Sequence, residues 1–168
     1  MIIRSAKSSD AAAIADIYND AVENTTAIWN DALVDTNNRK DWLRDRTSVG
    51  YPVFVCVQND TVIGYASYGQ WRGFDGFALS AELSVYIHKD HRGLGQGRAL
   101  LAQLIDAAKA QGLHVLIAGI DATNEGSLKL HGSMGFVETA RMPQVGKKFG
   151  RWLDLVFMQL RLDDRSAP

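Results

Sequence analysis

The segment of residues 82–99 contains the densest group of residues whose types and spacing could do chemistry. An apolar strand pattern ends there, and a helical pattern begins after three glycines that alternate with other residues, namely Gly93, Gly95 and Gly97. Residues without side chains let backbone N–H groups converge on an anion, and a helix N-terminus adds its positive dipole. Basic residues flank the turn, namely Lys89, Arg92 and Arg98. The segment therefore predicts a phosphate-binding loop.

This loop differs from two well-known phosphate-binding motifs. A nucleotide P-loop carries Lys-Ser or Lys-Thr after its last glycine, whereas Arg98 and Ala99 follow Gly97 here. The dinucleotide-binding fingerprint needs a glycine where Arg98 stands. Taken alone, the motif is also compatible with a glycine-rich connector that binds no ligand.

A second segment, residues 124–136, favours the ligand-binding interpretation. Together the two segments resemble the signature motifs of the GNAT acetyltransferase superfamily. The Arg-x-x-Gly-x-Gly motif of that superfamily is matched by Arg92, Gly95 and Gly97. Its Asn-x-x-Ala/Ser-x-x-Leu-Tyr-x-x-x-Gly-Phe motif is matched by Asn124, Ser127, Leu130, Gly135 and Phe136. The resemblance covers essentially the whole chain, because the expected order of strands and helices also fits.

Within the superfamily the chain is similar to the branch of phosphinothricin and methionine sulfoximine or methionine sulfone N-acetyltransferases. The segments that carry this similarity are 28–31, 65–67, 71–72, 74–77, 82–87, 118–120 and 142–154. The resemblance implies an enzyme that transfers an acetyl group from acetyl-CoA directly to the α-amino group of a small amino-acid analogue. Two alternatives remain open: a protein or peptide N-acetyltransferase, and a non-catalytic acyl-CoA-binding regulatory domain.

The resemblance also assigns residues to the acetyl-CoA site. The pyrophosphate is expected on the backbone of the glycine loop, formed by Arg92, Gly93, Leu94, Gly95, Gln96, Gly97 and Arg98. The preceding strand, with Val85, Tyr86 and Ile87, is expected alongside the pantetheine. Asn124 and Ser133 of the second motif are expected to contact the donor. Asn124 also suits a helix N-cap, and both roles can hold.

Acetyl transfer to an amine requires a base, stabilisation of the oxyanion and a proton for the leaving thiolate. Glu82 is the candidate base, because it lies three residues before Val85 in an otherwise apolar segment. A backbone N–H near Val85 is the candidate oxyanion donor. His131 stands where the superfamily usually has a tyrosine acid, although the phosphinothricin branch tends to have histidine there. His131 could be the acid or could only contact the donor, and the Tyr86 hydroxyl is another candidate.

The acceptor is expected at the loop that precedes the donor strand. Arg72 suits a bidentate contact with a carboxylate, while Trp71 and Phe74 suit the walls of a pocket. The other residues predicted to contact the acceptor are Trp29, Gly73, Glu82, Leu83 and Ser84. For Trp42 and Trp152 we predict ordinary core packing.

Composition limits the remaining possibilities. The chain has 168 residues, of which 46% are hydrophobic and 22% charged, and a formal net charge of −1. This length suits a single domain, predicted over residues 1–163 with a polar tail at 164–168. The balanced charge disfavours nucleic-acid and membrane binding. The lone Cys56 cannot form an internal disulfide, and the N-terminus lacks a signal-peptide pattern, so a cytoplasmic protein is predicted.

The hydrophobic pattern predicts the elements that must position these residues. Strands are expected near residues 2–6, 53–57, 62–68, 81–87, 115–120, 136–142 and 153–162, and four helices alternate with them in the order β-α-α-β-β-β-α-β-α-β-β. A turn at Asn59 and Asp60 makes a hairpin inside this order, so the sheet should be mixed. The expected fold class is α/β (α+β), with a GNAT-type, mostly antiparallel, seven-stranded sheet flanked by about four helices.

The last part of the chain is the candidate contact with a partner. Residues 143–151 include Lys147, Lys148 and Arg151, and this segment is predicted to be a solvated loop rather than a nucleic-acid patch. The resemblance implies a homodimer through the C-terminal strands and this 143–151 loop. No metal is expected, because His88 and His91 have no acidic or cysteine partners clustered with them.

Overall fold

The computed structural model describes residues 1–168 and contains seven strands and four α-helices in the predicted order. Their bounds are β1 (Ile2–Ser5), α1 (Ala11–Asn24), α2 (Thr36–Ser48), β2 (Val53–Gln58), β3 (Thr61–Gln70), β4 (Ser80–Ile87), α3 (Gln96–Ala110), β5 (Val115–Asp121), α4 (Glu125–Ser133), β6 (Val137–Lys148) and β7 (Arg151–Arg161). None of the helices is both long enough and apolar enough to span a membrane.

The strands form one mixed sheet in the order β1-β2-β3-β4-β5-β7-β6. Strands β4 and β5 pair in parallel, whereas the pairs β1–β2, β2–β3, β5–β7 and β6–β7 are antiparallel. The predicted fold class is therefore confirmed. By internal contacts the chain divides into two compact units, one of Met1–Tyr68 with Ser84–Leu104 and the other of Gly69–Leu83 with Ile105–Pro168.

In the first unit, α1 and α2 pack on β2 and β3. Ile14 and Ile17 of α1 and Leu43 of α2 share a buried cluster with Val55 and Tyr65 of the strands. The three-residue spacing of Ile14 and Ile17 places both on one helix face, as the sequence pattern predicts. Trp42 packs at the edge of this cluster, which confirms its predicted core role. The β2–β3 hairpin turns at Asn59 and Asp60, whose φ angles of 49° and 60° fit the expected tight turn.

In the second unit, β5 alternates between a covered and an open side. Leu116, Ala118 and Ile120 are buried, whereas Gly119 between them is exposed. Gly119 pairs with Phe157 of β7. Because directly paired residues point to the same side of a sheet, Gly119 and Phe157 share the open side.

The predicted 143–151 loop is wrong, because β6 continues to Lys148 and pairs with β7. The pairing register shifts between Met142 and Gly146, and this bulge accommodates Pro143. Within the bulge the Asp154 carboxylate accepts a hydrogen bond of 2.9 Å from the Gln144 N–H. Proline is tolerated in an edge strand at such a bulge. The core role predicted for Trp152 is also wrong, since this side chain is 66% exposed on β7.

An ion pair between Arg4 and Asp10 joins β1 to the start of α1 and gives the fold an acid-sensitive contact. Both guanidinium nitrogens of Arg4 bind the Asp10 carboxylate, at 2.7 and 2.9 Å, and the Lys7 N–H donates to it at 2.7 Å. The Arg4 hydrogen bonds hold the pKa of Asp10 below its ordinary value, against a smaller opposing effect of burial. The stabilisation is therefore present at neutral pH and is lost as the pH falls below the ordinary carboxyl value of about 3.9.

We expect Asp10→Asn to lower the free energy of unfolding by about 1–3 kcal/mol at pH 7, because charge-assisted hydrogen bonds are lost. The difference from wild type should be smaller at about pH 3, because the unfolded carboxyl, with its ordinary pKa of about 3.9, is then protonated and the wild type has begun to lose the stabilisation. Urea unfolding at the two pH values measures both effects. Asp16→Asn, at an exposed position of α1, removes the same charge and should change stability little. An equal loss from both variants would contradict the expectation.

Candidate active site

The glycine loop has the backbone that an anion site requires. Gly93 and Gly95 have φ angles of 80° and 92°, and a Cβ built at either residue would meet no atom within 4 Å. Helix α3 begins directly afterwards at Gln96, and the Ala99 N–H donates to the Gly95 carbonyl at 3.1 Å. The N–H groups of the helix before Ala99 lie at its open end, as the first N–H groups of a helix do. The loop is therefore open and rich in backbone donors.

Two side chains of the loop are held by the protein. Gln96 is buried, and its side-chain oxygen has no hydrogen-bond partner. Arg92 donates to the Ile87 carbonyl at 3.1 Å and to the Asp20 carboxylate of α1 at 3.0 Å. Its guanidinium thus ties the loop to β4 and α1. No local pattern pointed to Asp20, which lies 72 positions away along the chain.

Glu82 lies where the parallel ladder between β4 and β5 ends. The paired residues are Ser80 with Val115, Ala81 with Leu116 and Glu82 with Ile117. The Glu82 side chain is exposed to solvent, but its carboxylate reaches over β5, where a Cβ at Gly119 would lie 3.1 Å from Glu82 Oε1. Desolvation by the surrounding protein raises the pKa of Glu82, and the charge of Arg72 opposes this rise. A carboxylate with a raised pKa that solvent can reach is suited to proton transfer.

Arg72 and Trp71 form the second part of this arrangement. The Arg72 guanidinium lies 4.7 Å from the centre of the Trp71 ring, and Trp71 stands edge-on to Phe157 at 5.1 Å. Trp71 thus supports an exposed arginine in the second unit, and the charge of Arg72 acts on the Glu82 carboxylate. Phe74 is 75% exposed, and its role as a pocket wall stays a prediction. Trp29 lies in the first unit, where its indole N–H donates to the Thr26 carbonyl at 2.8 Å.

Asn124 and His131 lie on or next to α4, also in the second unit. The Asn124 side-chain oxygen accepts from the Ser127 N–H at 3.1 Å, which confirms the predicted N-cap. Its amide NH₂ is not used in the cap. Ser133 donates its hydroxyl to the Leu130 carbonyl at 2.7 Å. The donor contacts of Asn124 and Ser133 stay predictions.

His131 has a defined protonation state. Its Nδ1 is 2.9 Å from the Ser127 carbonyl, which can only accept, so Nδ1 carries the hydrogen. Burial lowers the pKa of His131, against a smaller rise from the Ser127 contact, and Nε2 is buried without a partner. The neutral imidazole therefore presents a lone pair at Nε2. For His131 to act as an acid, a proton must first reach Nε2, and that role stays a prediction.

A sequence profile described as an acetyltransferase (GNAT) domain matches residues 3–157 of the chain. The chain belongs to the GNAT family. An L-amino acid N-acyltransferase of Escherichia coli K12 is 60% identical over 168 residues, covering 100% of this chain and 98% of that protein. An L-methionine sulfoximine/L-methionine sulfone acetyltransferase of Salmonella typhimurium is 57% identical, with coverage of 100% and 98%.

Other GNAT relatives extend this comparison. A phosphinothricin N-acetyltransferase of Alcaligenes faecalis is 34% identical, covering 99% of this chain and 86% of that protein. The structure of an acetyltransferase from Salmonella typhimurium with its cofactor acetyl-CoA superposes with a TM-score of 0.98 at 57% identity, covering 100% of this chain and 97% of that one. The resemblance stated from the sequence motifs is therefore confirmed, down to the branch.

Sequence reasoning assigned no role to Gly119, which lies close to the Glu82 carboxylate, or to Phe157, which contacts the Trp71 ring, although segment 118–120 counted toward the resemblance. A glycine inside the apolar pattern of residues 115–121 was the available signal, because glycine in a strand interior often marks a close approach of another group. Phe157 carried no such signal, since an aromatic residue in an alternating strand is typical of ordinary packing.

Proposed function

We propose that the chain is an acetyl-CoA-dependent N-acetyltransferase that acts on the α-amino group of small amino-acid analogues of the methionine sulfoximine, methionine sulfone and phosphinothricin class. The observation that carries the proposal is the pairing of Glu82, whose pKa is raised, with the ring-stacked Arg72 in one unit. A zwitterionic acceptor needs both a base for its ammonium group and a cation for its carboxylate. The Escherichia coli relative is an L-amino acid N-acyltransferase by name, and the Salmonella relative acts on L-methionine sulfoximine and L-methionine sulfone by name.

Acetyl-CoA supplies an activated acetyl group, and the first unit offers a fitting site for its phosphates. The open glycine loop presents backbone N–H groups at the start of α3, with Arg98 beside them. In the proposal these groups hold the pyrophosphate, while Val85, Tyr86 and Ile87 hydrogen-bond the pantetheine through the backbone. Arg92 keeps the loop in place through its contacts with Asp20 and the Ile87 carbonyl.

Glu82 takes the proton that the acceptor amine must lose. An α-amino group has a pKa of about 7.7–8.0, so it is largely protonated at neutral pH. The free amine then forms the new C–N bond, the thioester C–S bond breaks, and the thiolate leaves with a proton. The backbone N–H near Val85 is proposed to stabilise the oxyanion. Arg72 orients the acceptor by binding its carboxylate with two parallel hydrogen bonds.

The decisive experiment measures thiol release from acetyl-CoA with a panel of acceptors. The panel contains L-methionine sulfoximine, L-methionine sulfone, L-phosphinothricin, the decarboxylated amine of methionine sulfone, and short peptides. We expect turnover with the first three compounds and at most weak turnover with the amine and the peptides. Turnover confined to peptides would indicate the protein-acetylating alternative. Binding of acetyl-CoA without turnover on any acceptor would favour the non-catalytic alternative.

We also propose a homodimer that forms through β6 and β7. Strand β6 lies at the edge of the sheet, and almost all of its residues are exposed. Large apolar side chains are exposed on β6, β7 and the turn between them, namely Val137, Met142, Val145, Phe149 and Trp152. Long exposed apolar edge strands are uncommon in monomers, because they associate with other chains. A second copy of the same surface would cover them.

Sedimentation velocity tests the dimer with one variant at each edge of the sheet. Trp152→Glu places a charge in the proposed interface and should shift the protein from dimer to monomer. Ile2→Glu makes the same kind of change at an exposed position of β1, the opposite edge strand, and should leave the dimer intact. A monomeric wild type at all concentrations would overturn the proposal, as would equal dissociation of both variants.

A further inference from the structure

Gly119 of β5 lies close to the Glu82 carboxylate. A Cβ built at Gly119 would lie 3.1 Å from Glu82 Oε1, 3.5 Å from Phe157 Cε1 and 3.6 Å from Leu155 Cδ1. Carbon atoms in contact are normally about 3.5–4.0 Å apart, so a Cβ suits the two apolar neighbours. The only tight contact would be with the carboxylate.

The backbone at Gly119 does not itself require glycine. Its φ angle is not among the positive ones in the chain, so an L-residue could adopt the same conformation. Gly119 is also exposed within a strand whose neighbours Ala118 and Ile120 are buried. A glycine in a strand interior gives up side-chain packing, and here that loss leaves space on the open side of the sheet.

The register of the sheet places the open space at Gly119 next to the Glu82 side chain. Glu82 pairs with Ile117 in the parallel ladder, and Gly119 is the next residue of β5 on the same side. Phe157 pairs with Gly119 from β7 and supports the Trp71 ring, on which Arg72 stacks. The nearest neighbours of a side chain at Gly119 are thus the Glu82 carboxylate, the Phe157 ring and Leu155.

We propose that Gly119 is a positioning residue for the transfer reaction. By lacking a Cβ it lets the Glu82 carboxylate lie over β5, in the position from which it takes the proton of the acceptor amine. This inference rests on the proposed role of Glu82 as the base. It assigns to Gly119 a function that acts only through Glu82.

Gly119→Ala is expected to fold normally and to lower kcat. The carboxylate is the solvent-exposed end of a flexible side chain, so it can move by a few tenths of an ångström without disturbing the sheet. Because small displacements of catalytic groups have large effects on rate, we expect a roughly 5- to 30-fold lower kcat. The KM for acetyl-CoA should stay within about twofold of wild type, and the melting temperature within about 3 °C.

Gly132→Ala is the matched control. It adds the same methyl group within α4, where a Cβ would meet no atom within 4 Å, and alanine suits a helix better than glycine. This variant should keep the wild-type kcat. If Gly119→Ala also keeps it, or if it melts more than about 10 °C lower, the proposal is overturned, because the Cβ would then miss the carboxylate or disrupt the sheet.

Double-mutant cycles separate this inference from the proposed function. In a Glu82→Gln background, which has no base to position, Gly119→Ala should change kcat by less than about twofold. In a Glu82→Asp background its effect should also be smaller than in wild type, because the shorter side chain reaches less far over β5. An equal fold loss in all backgrounds would show that Gly119 does not act through Glu82. If Glu82→Gln itself leaves kcat unchanged, the role of Glu82 as the base fails instead.

Discussion

Replacing Glu82 with glutamine is expected to lower kcat/KM for the acceptor by about 10²- to 10⁴-fold, the usual contribution of a general base. Glutamine keeps the size of the side chain but cannot take a proton. The residues proposed to bind acetyl-CoA do not include Glu82, so the dissociation constant for acetyl-CoA should stay within about twofold of wild type. Steady-state kinetics with methionine sulfone, together with calorimetric titration of acetyl-CoA, would measure both quantities.

The pH dependence of kcat/KM shows which titrating group the Glu82→Gln variant has lost. Burial raises the pKa of Glu82, so wild-type kcat/KM should fall, as the pH decreases, through a value above the ordinary glutamate pKa of about 4.3. This acid limb should be absent from the residual activity of Glu82→Gln, whereas titration of the acceptor amine should remain in both proteins. Glu23→Gln, at an exposed position of α1, is the matched control and should behave as wild type. A wild-type rate in Glu82→Gln would mean that the amine arrives already neutral or loses its proton elsewhere.

Local sequence signals predicted the parts of the molecule that depend on near neighbours. The hairpin at Asn59 and Asp60, the N-cap at Asn124 and the glycine loop each follow from residues adjacent in the chain. The length of β6 could not be predicted in this way. Pro143 and Gly146 interrupt its strand pattern, and the bulge that accommodates them is held by Asp154, a residue of the next strand.

The chemistry of the site depends even more on contacts between distant segments. Motif matching identified Glu82, Arg72 and His131. The raised pKa of Glu82 and the position of the hydrogen on His131 depend on contacts in the folded chain. The contact of Arg92 with Asp20 joins two segments that lie far apart along the chain. The orientation of His131 is set by the Ser127 carbonyl one helical turn earlier. The space at Gly119 exists only through the register of β4, β5 and β7, which no local pattern encodes.

Replacing Arg72 with alanine is expected to affect both acceptor binding and the ionisation of Glu82. Loss of the paired hydrogen bonds to the acceptor carboxylate should raise the acceptor KM by roughly 10- to 100-fold, since hydrogen bonds to charged groups contribute about 1.5–3 kcal/mol. The positive charge of Arg72 lowers the pKa of Glu82, in opposition to burial. Its removal should therefore move the acid limb of kcat/KM to higher pH. Kinetics on methionine sulfone across a pH series would measure both changes.

Two comparisons separate these effects of Arg72. Arg72→Lys keeps the positive charge but not the two parallel hydrogen bonds. Its acid limb should therefore lie at the wild-type pH, whereas its acceptor KM should lie between those of wild type and Arg72→Ala. The decarboxylated amine of methionine sulfone has no carboxylate to lose, so with this acceptor Arg72→Ala should shift the pH profile with little change in KM. An equal rise in KM for both acceptors would show that Arg72 shapes the pocket without binding the carboxylate. The acceptor would then be selected by the aromatic surface of Trp71 and Phe157, and the preference for amino acids over simple amines should disappear.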